Sequence, residues 1–327
     1  MIRNNDKGKK ESQGFSLNSF TDDQLYEIHL ATLAVLKKTG ILVETTEALE
    51  IFDGAGAEVD RQKKIVKIPP YVVDDAIRSA PSKIVLAGRN PDNDKVLENG
   101  RVHFTNFSEG VEVVDLDTDE RRKPSKADLA NAATLVDYLS DIDVCEKAVG
   151  AGDVPHEVVP LHNAEAMLAN TTKHCCVGPG NGFLLNKLVK MAAAIVGGLN
   201  KIKERPILSF TTCPVSPLQL IKECCEIIIE SARTGSVINI LSMAMAGGTS
   251  PASLAGTLVT HNAEVLAGLT LNQLVSKGAP VIYGSSTTAM DLKLGTASVG
   301  TPECAIISGA VARLARYYAL PSYVAGG

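Results

Sequence analysis

Tryptophan is absent from the 327 residues, and aromatic residues make up only 4% of them. That leaves little material for an aromatic cage around a quaternary ammonium group. No stretch is long and apolar enough to span a bilayer. The opening segment, Met1 to Gly14, carries Lys7, Lys9 and Lys10 with no apolar region behind them, so it reads as a solvated polar tail and not a signal peptide. A strong excess of one charge is missing too. The net charge of -5 and the pI near 5.7 give no electrostatic footprint for nucleic acid or an anionic membrane. The seven cysteines follow no regular spacing, which suits a reducing cytoplasm better than a secreted disulfide framework. No phosphate loop or Ser-His-Asp order stands out. A dinucleotide fingerprint is lacking as well, because Gly150, Gly152, Gly178, Gly180 and Gly182 are divided between two strand exits.

What remains is a globular composition, 45% hydrophobic and 21% charged, with ample material for a core. Residues 1–20 are expected to form the tail and residues 21–140 an α+β section. In that section Thr21 and Ser125 cap helices, and Ile65–Ile68, Ile84–Leu86, Val102–Phe104 and Val111–Leu116 read as short strands. Ile41–Asp60 reads as a second helix with loops. The charged run Asp117–Lys123 reads as a solvated turn.

From residue 141 the pattern becomes rhythmic. Extended segments are expected at Cys145–Gly150, His174–Val177, Ile207–Cys213, Val237–Met245, Val281–Ser285 and Ser322–Ala325, with amphipathic helices between them. Ser216-Pro217, Ser250-Pro251 and Thr301-Pro302 read as helix starts. Alternating strand and helix without hairpin signals implies a parallel sheet. About six such units fall short of the eight that close a barrel, so residues 141–327 are expected to form an incomplete (β/α)8 TIM barrel. The alternative is an open doubly wound sheet. The last extended segment runs directly into Gly326-Gly327, at the strand end where barrel chemistry sits, and a continuation beyond Gly327 is expected.

Three regions carry a family resemblance. The first contains Ile68-Pro69-Pro70-Tyr71-Val72-Val73, Ser79-Ala80-Pro81, Ala87-Gly88-Arg89-Asn90-Pro91 and Asp115 through Arg122. The second contains Gly247-Gly248-Thr249-Ser250-Pro251, Leu254-Ala255-Gly256-Thr257 and Asn262 to Gly268. The third contains Pro280-Val281-Ile282-Tyr283-Gly284, Gly300-Thr301-Pro302-Glu303 and Leu320 to Gly327. Together they resemble the trimethylamine methyltransferase family, including its methanogenic archaeal members. The resemblance implies a TIM barrel with an added leading section. It also implies methyl transfer from trimethylamine to the Co(I) corrinoid of a separate small corrinoid protein, within methanogenesis from methylamines, and no cofactor bound directly. It further implies that an amber-encoded pyrrolysine follows a Gly-Gly like Gly326-Gly327. The chain then represents the part ahead of that residue. A cytoplasmic homo-oligomer is expected.

Methyl transfer from an amine needs the nitrogen made electron-poor before it can leave, and it needs a site sheltered from water. Glu303, in the first turn of the helix after Val281–Ser285, is the candidate acid or amine orienter; the alternative is a carboxylate favoured by the helix dipole. Cys213, Met243, Met245, Tyr283, Ser285, Ser286, Gly326 and Gly327 are candidates for lining the substrate site. Met243 and Met245, expected on one side of one strand, could wall a methyl-sized pocket or simply fill the core. His174 and Cys176, two apart, could with Cys213 or Cys304 form a zinc centre, although their spacing fixes no third ligand, and no metal is assigned. The tetrapeptide His-Asn-Ala-Glu occurs at His162–Glu165 and again at His261–Glu264. A shared packing role or chance accounts for it, with a structural hydrogen bond or subunit contact expected at Glu264. A non-catalytic chain that only binds the corrinoid protein, or a betaine-type methyltransferase, stands as the alternative function.

Overall fold

The computed structural model describes residues 9–10 and 20–325. Most of the expected tail, and Gly326 and Gly327, therefore lie outside the described residues. The chain divides into two compact units. Of the described residues, one unit holds 9–10 and 84–211, and the other 20–83 and 212–325.

Six parallel strands form the repeating part: β1 (Val144–Glu146), β2 (His174–Val177), β3 (Leu208–Thr212), β4 (Ile238–Ser242), β5 (Val281–Ser285) and β6 (Ser322–Val324). Within the first unit β1 pairs β2 and β2 pairs β3, while in the second β4 pairs β5 and β5 pairs β6. Every strand but the last described leads to a helix before the next strand, as parallel pairing requires. The helices are α1 (Asp22–Lys38), α2 (Thr46–Gly54), α3 (Pro70–Ser79), α4 (Lys126–Tyr138), α5 (Val159–Asn170), α6 (Gly182–Val196), α7 (Leu199–Glu204), α8 (Lys222–Thr234), α9 (Leu254–Val275) and α10 (Pro302–Tyr317). The fold is an incomplete (β/α)8 barrel with an α+β leading section, as the strand count predicted.

Local rules explain most boundaries. Thr21 and Ser125 each close a capping box, and Thr301 caps α10 with Pro302 in its first turn. Elsewhere tertiary context displaced the expected starts. Ser216-Pro217 is a cis peptide in a loop, and α8 begins only at Lys222, after a short strand, Gln219–Leu220, that pairs with Ile41–Val43. The cap of α9 is Ser253, whose hydroxyl accepts from Gly256 N, because Ser250-Pro251 is still part of a turn. Ile41–Asp60 is strand, helix, strand: Ile41–Val43 and Glu58–Asp60 both pair with Ile65–Lys67, which orders a segment whose sequence shows mainly the helix.

Helix α9 is the hub of the second unit. It is buried along most of its length, and α1, α3 and α8 pack against it. Gly268 lets it approach the sheet, since a Cβ there would lie 3.0 Å from Ile240 Cγ2. Ile240, and by strand alternation Ser242, therefore face α9. Asn262 of α9 ties three elements together. Its Nδ2 donates to Tyr318 OH at 2.8 Å and Thr32 Oγ1 at 3.0 Å, and its Oδ1 accepts from Tyr283 OH at 2.7 Å.

In the first unit Lys173 is buried, and its ammonium donates to the carbonyls of Val136, Leu139 and Ile142, each at 2.6 Å. These carbonyls belong to the last turn of α4 and the loop after it, where orphan acceptors and the helix dipole both favour a cation. Lys173→Met keeps the apolar stem and strands the carbonyls. It is expected to cost about 1–2 kcal/mol, read as a lowered urea midpoint at unchanged slope.

Candidate active site

In the second unit the carboxyl ends of three strands are tied side by side. Ser286 N donates to Ser242 O and Ala325 N to Ser285 O, both at 2.9 Å. This is the face of a barrel on which catalytic groups gather. Cys213 follows β3, Met243 follows β4, and Ser285 and Ser286 close β5, so these candidates stand at strand exits. Met243 is half exposed. It does not share a strand with Met245: β4 ends at Ser242, and Met245–Ala246 pairs instead with Thr288–Ala289, the first half of a hairpin that continues through Thr296–Ser298. The backbone turns there because Met245 O accepts from Gly248, Thr249 and Ser250 N. Glu303 is exposed in the first turn of α10. Tyr283 is wholly buried against α9, edge-on to His261 with ring centroids 5.3 Å apart. Gly326 and Gly327, as noted, are not described.

Glu264 is buried in α9 and accepts three hydrogen bonds, from Ser242 Oγ at 2.6 Å, Ser216 Oγ at 2.9 Å and Leu218 N at 3.0 Å. Burial raises its carboxyl above the ordinary glutamate value, and the three donors oppose that rise. One side chain thus pins the end of β4 and the loop that follows Cys213, including the left-handed backbone of Leu218. A structural hydrogen bond is what the sequence led one to expect of Glu264. The other tetrapeptide does something different, for Lys126 Nζ reaches His162 Nδ1 at 3.0 Å and Glu165 at 2.5 Å near the surface of the first unit.

His261, beside Glu264's helical turn, is fully buried. Its Nδ1 lies 3.1 Å from Thr287 Oγ1, which itself donates to Ser242 O, so Nδ1 carries the proton and Nε2 is left without a partner. Burial pushes its pKa down to about 3, and the ring is neutral.

In the first unit the carboxyl ends of β1 to β3 carry a polar group of their own. Glu146, the last residue of β1, is in register with Cys176 of β2, and Cys176 in turn with Ser209 of β3. Cys176 Sγ is 3.2 Å from Thr211 Oγ1. His174, two residues before Cys176, has both ring nitrogens engaged, with Ala87 O at 3.1 Å and Ser209 Oγ at 2.8 Å. Burial lowers its pKa to about 4. Among the described residues no group of three or more His, Cys, Asp or Glu side chains is arranged to hold a metal ion. Glu146 is 8% exposed, and burial pushes its pKa up to about 7, with a bond from Cys176 pulling the other way. Glu146 is not among the residues expected for the site; in the sequence it is one of two adjacent charged residues, with Lys147, inside the expected run Cys145–Gly150.

No described helix is long and apolar enough to cross a membrane.

The fold has solved counterparts. The crystal structure of the Methanosarcina barkeri monomethylamine methyltransferase (MtmB) aligns with a TM-score of 0.53 at 13% identity, over 92% of this chain and 67% of that one. A hydroxylamine complex of MtmB aligns with a TM-score of 0.54 at 12% identity, over the same shares. At that identity the likeness concerns the fold alone. By sequence, the chain is 52% identical to a trimethylamine methyltransferase MttB of Desulfitobacterium hafniense (strain DSM 10664 / DCB-2), over 98% of this chain and 64% of that protein. It is 45% identical to the MttB of Methanosarcina barkeri, over 100% of this chain and 67% of that protein. A glycine betaine methyltransferase of Desulfitobacterium hafniense (strain Y51) is 35% identical over 95% of this chain and 64% of its own length. The chain thus spans about two thirds of the relatives it matches. The family model described as trimethylamine methyltransferase (MTTB) matches residues 6–327, and the chain belongs to that family.

Proposed function

We propose that this chain is the barrel-bearing part of a trimethylamine:corrinoid methyltransferase, cytoplasmic and acting with a small corrinoid protein in methanogenesis from methylamines. The observation that carries the reading is the family match across residues 6–327. The corrinoid supplies a cobalt nucleophile for the methyl carbon. The residues of this chain have to bind the amine, orient it and hold water away. Two features support that division of work. The carboxyl ends of β4, β5 and β6 are locked in register by backbone bonds, which gives a rigid base for a side chain placed after Ala325. The rim beyond them exposes Met243, Leu292, Leu294 and Val299, an apolar margin of the kind a protein-borne macrocycle can rest on. Cys213, Ser286 and Met245 stand in the same unit as candidates for the amine site, with Glu303 as its acid.

The special electrophile of the family, pyrrolysine, belongs directly after Gly327 in this reading. An in-frame amber codon there, followed by open frame, is the expected result; an ochre codon or a glycine codon would count against it. A second reading, transfer from a quaternary amine, is favoured by the 35% identity to a glycine betaine methyltransferase. A competition assay separates the two. With equal trimethylamine and glycine betaine and the reduced corrinoid protein, dimethylamine is expected to accumulate, and dimethylglycine in its place would move the chain to the second reading.

A further inference from the structure

His261 and Glu264 lie three residues apart in α9, hence on one side of the helix. Both act on Ser242, the last residue of β4, but at different atoms. Glu264 accepts from the Ser242 hydroxyl at 2.6 Å. His261 reaches the Ser242 carbonyl through Thr287: its Nδ1 lies 3.1 Å from Thr287 Oγ1, and that hydroxyl donates to Ser242 O at 3.3 Å. The same carbonyl accepts from Ser286 N at 2.9 Å. Thr287 stands in the turn that leaves β5, and this turn is tied to both neighbouring strand exits. Thr287 N donates to Ser285 Oγ at 3.1 Å, Thr288 N to Ala244 O at 3.2 Å, and Ala325 N to Ser285 O at 2.9 Å. A hydroxyl has one proton to give, and that of Thr287 goes to Ser242 O, so the imidazole supplies the proton of the His261–Thr287 bond. Packing alone does not call for an imidazole at this place. Its Nε2 is buried without a partner among the described residues, a cost that an apolar side chain would avoid.

We propose that His261 is a positioning residue for methyl transfer: its Nδ1–H orients the Thr287 hydroxyl, and through that hydroxyl it fixes how the exits of β4, β5 and β6 stand to one another. Its action is indirect, through Thr287. The reaction rests on the methyltransferase reading above; the link from α9 to the three exits rests on the hydrogen bonds. Ser286, a candidate for the amine site, is carried on this turn, and Ala325 is bonded to its first residue, Ser285. Groups displaced by about 1 Å from a productive arrangement can lose on the order of 100-fold in rate. A turn released from α9 therefore shows its loss in the chemical step and not in amine binding.

The test compares His261→Leu, His261→Asn and Thr287→Val in the polypeptide translated through the codon after Gly327. Asparagine offers an amide N–H in place of Nδ1–H, leucine offers no donor, and Thr287→Val removes the hydroxyl while leaving the histidine. Amide exchange is read first, without the corrinoid protein. In His261→Leu and Thr287→Val the amides of Ser286, Thr288 and Ala325 are expected to exchange about ten-fold faster, with those in the middle of α9 unchanged. Methyl transfer from trimethylamine to the reduced corrinoid protein is read second. Both variants are expected to lose about ten-fold in kcat with KM for trimethylamine held within about two-fold. The double variant should lose no more than the worse single one, and His261→Asn should recover most of the rate. Unchanged kcat in His261→Leu and Thr287→Val, losses that multiply in the double variant, or His261→Asn as slow as His261→Leu overturns the inference. The failures are separable. A wild type that transfers methyl groups at a rate the variants match removes this role and leaves the proposed function standing. A wild type that transfers none, with the exchange pattern as expected, removes the proposed function and leaves the link between α9 and the strand exits.

Discussion

Glu264→Ala is expected to destabilise the protein by about 3 kcal/mol. The size follows from what is left behind. Ser242 Oγ, Ser216 Oγ and Leu218 N all donate to the lost carboxyl, and the bond from Ser242 is buried where water cannot easily replace it. A side-chain-sized void in a helix buried along most of its length adds to the loss. The effect should also be local in character. The loop from Cys213 to Leu220 depends on this anchor for the left-handed Leu218, whose N–H donates to the carboxylate, so its amides should exchange much faster than those of β5. Denaturant unfolding and hydrogen exchange together check both parts. A variant with unchanged midpoint and unchanged exchange in that loop would show that the three bonds carry no weight.

The second large effect has the opposite sign. Glu146 holds its proton up to about pH 7 in the folded chain, against an ordinary value of 4.5. A folded carboxyl that binds its proton more tightly than the unfolded one favours the native state at low pH. That advantage is lost as the pH rises from about 4.5 through about 7, and nothing further is lost above. The whole swing is about 3 kcal/mol. Glu146→Gln keeps the shape and removes the titration, so at pH 8 the variant is expected to be the more stable protein by a large part of that amount. Near pH 5 the gap should almost vanish. Comparing the two proteins at each pH cancels the other titrating groups, among them Asp128 and Asp143, whose carboxyls are held below the ordinary range by Arg122 and by Lys95 and His103. Thermal melts of both proteins between pH 5 and 8 supply the comparison. A gap that stays constant across that range would mean that Glu146 is ionised throughout.

These two glutamates show what the sequence does and does not reveal. Both are buried. One is answered by three donors drawn from positions 216, 218 and 242, the other by a thiol at position 176. No local pattern distinguishes them, because the answering groups come from elsewhere in the chain. The strands themselves were legible: six short extended runs at regular intervals place the ends of β1 to β6 within four residues. Caps backed by a following amphipathic helix, at Thr21, Ser125 and Thr301, were legible too. Ser216-Pro217 and Ser250-Pro251 offered the same residues, yet pairing of Gln219–Leu220 with Ile41–Val43 and the turn around Met245 took those segments instead. Of the site, strand ends could be read, but not which side chains point at α9. Tyr283 is buried with its hydroxyl donating to Asn262 Oδ1, a partner 21 positions earlier that no local pattern announces.

The most direct measurement is trimethylamine-dependent consumption of the Co(I) corrinoid protein by the polypeptide translated through the codon after Gly327, beside the chain that ends there. The longer protein is expected to consume Co(I) with one dimethylamine formed per methyl group moved, and the shorter one is not. Equal rates from both, or consumption driven by glycine betaine while trimethylamine is left untouched, would contradict the proposed function.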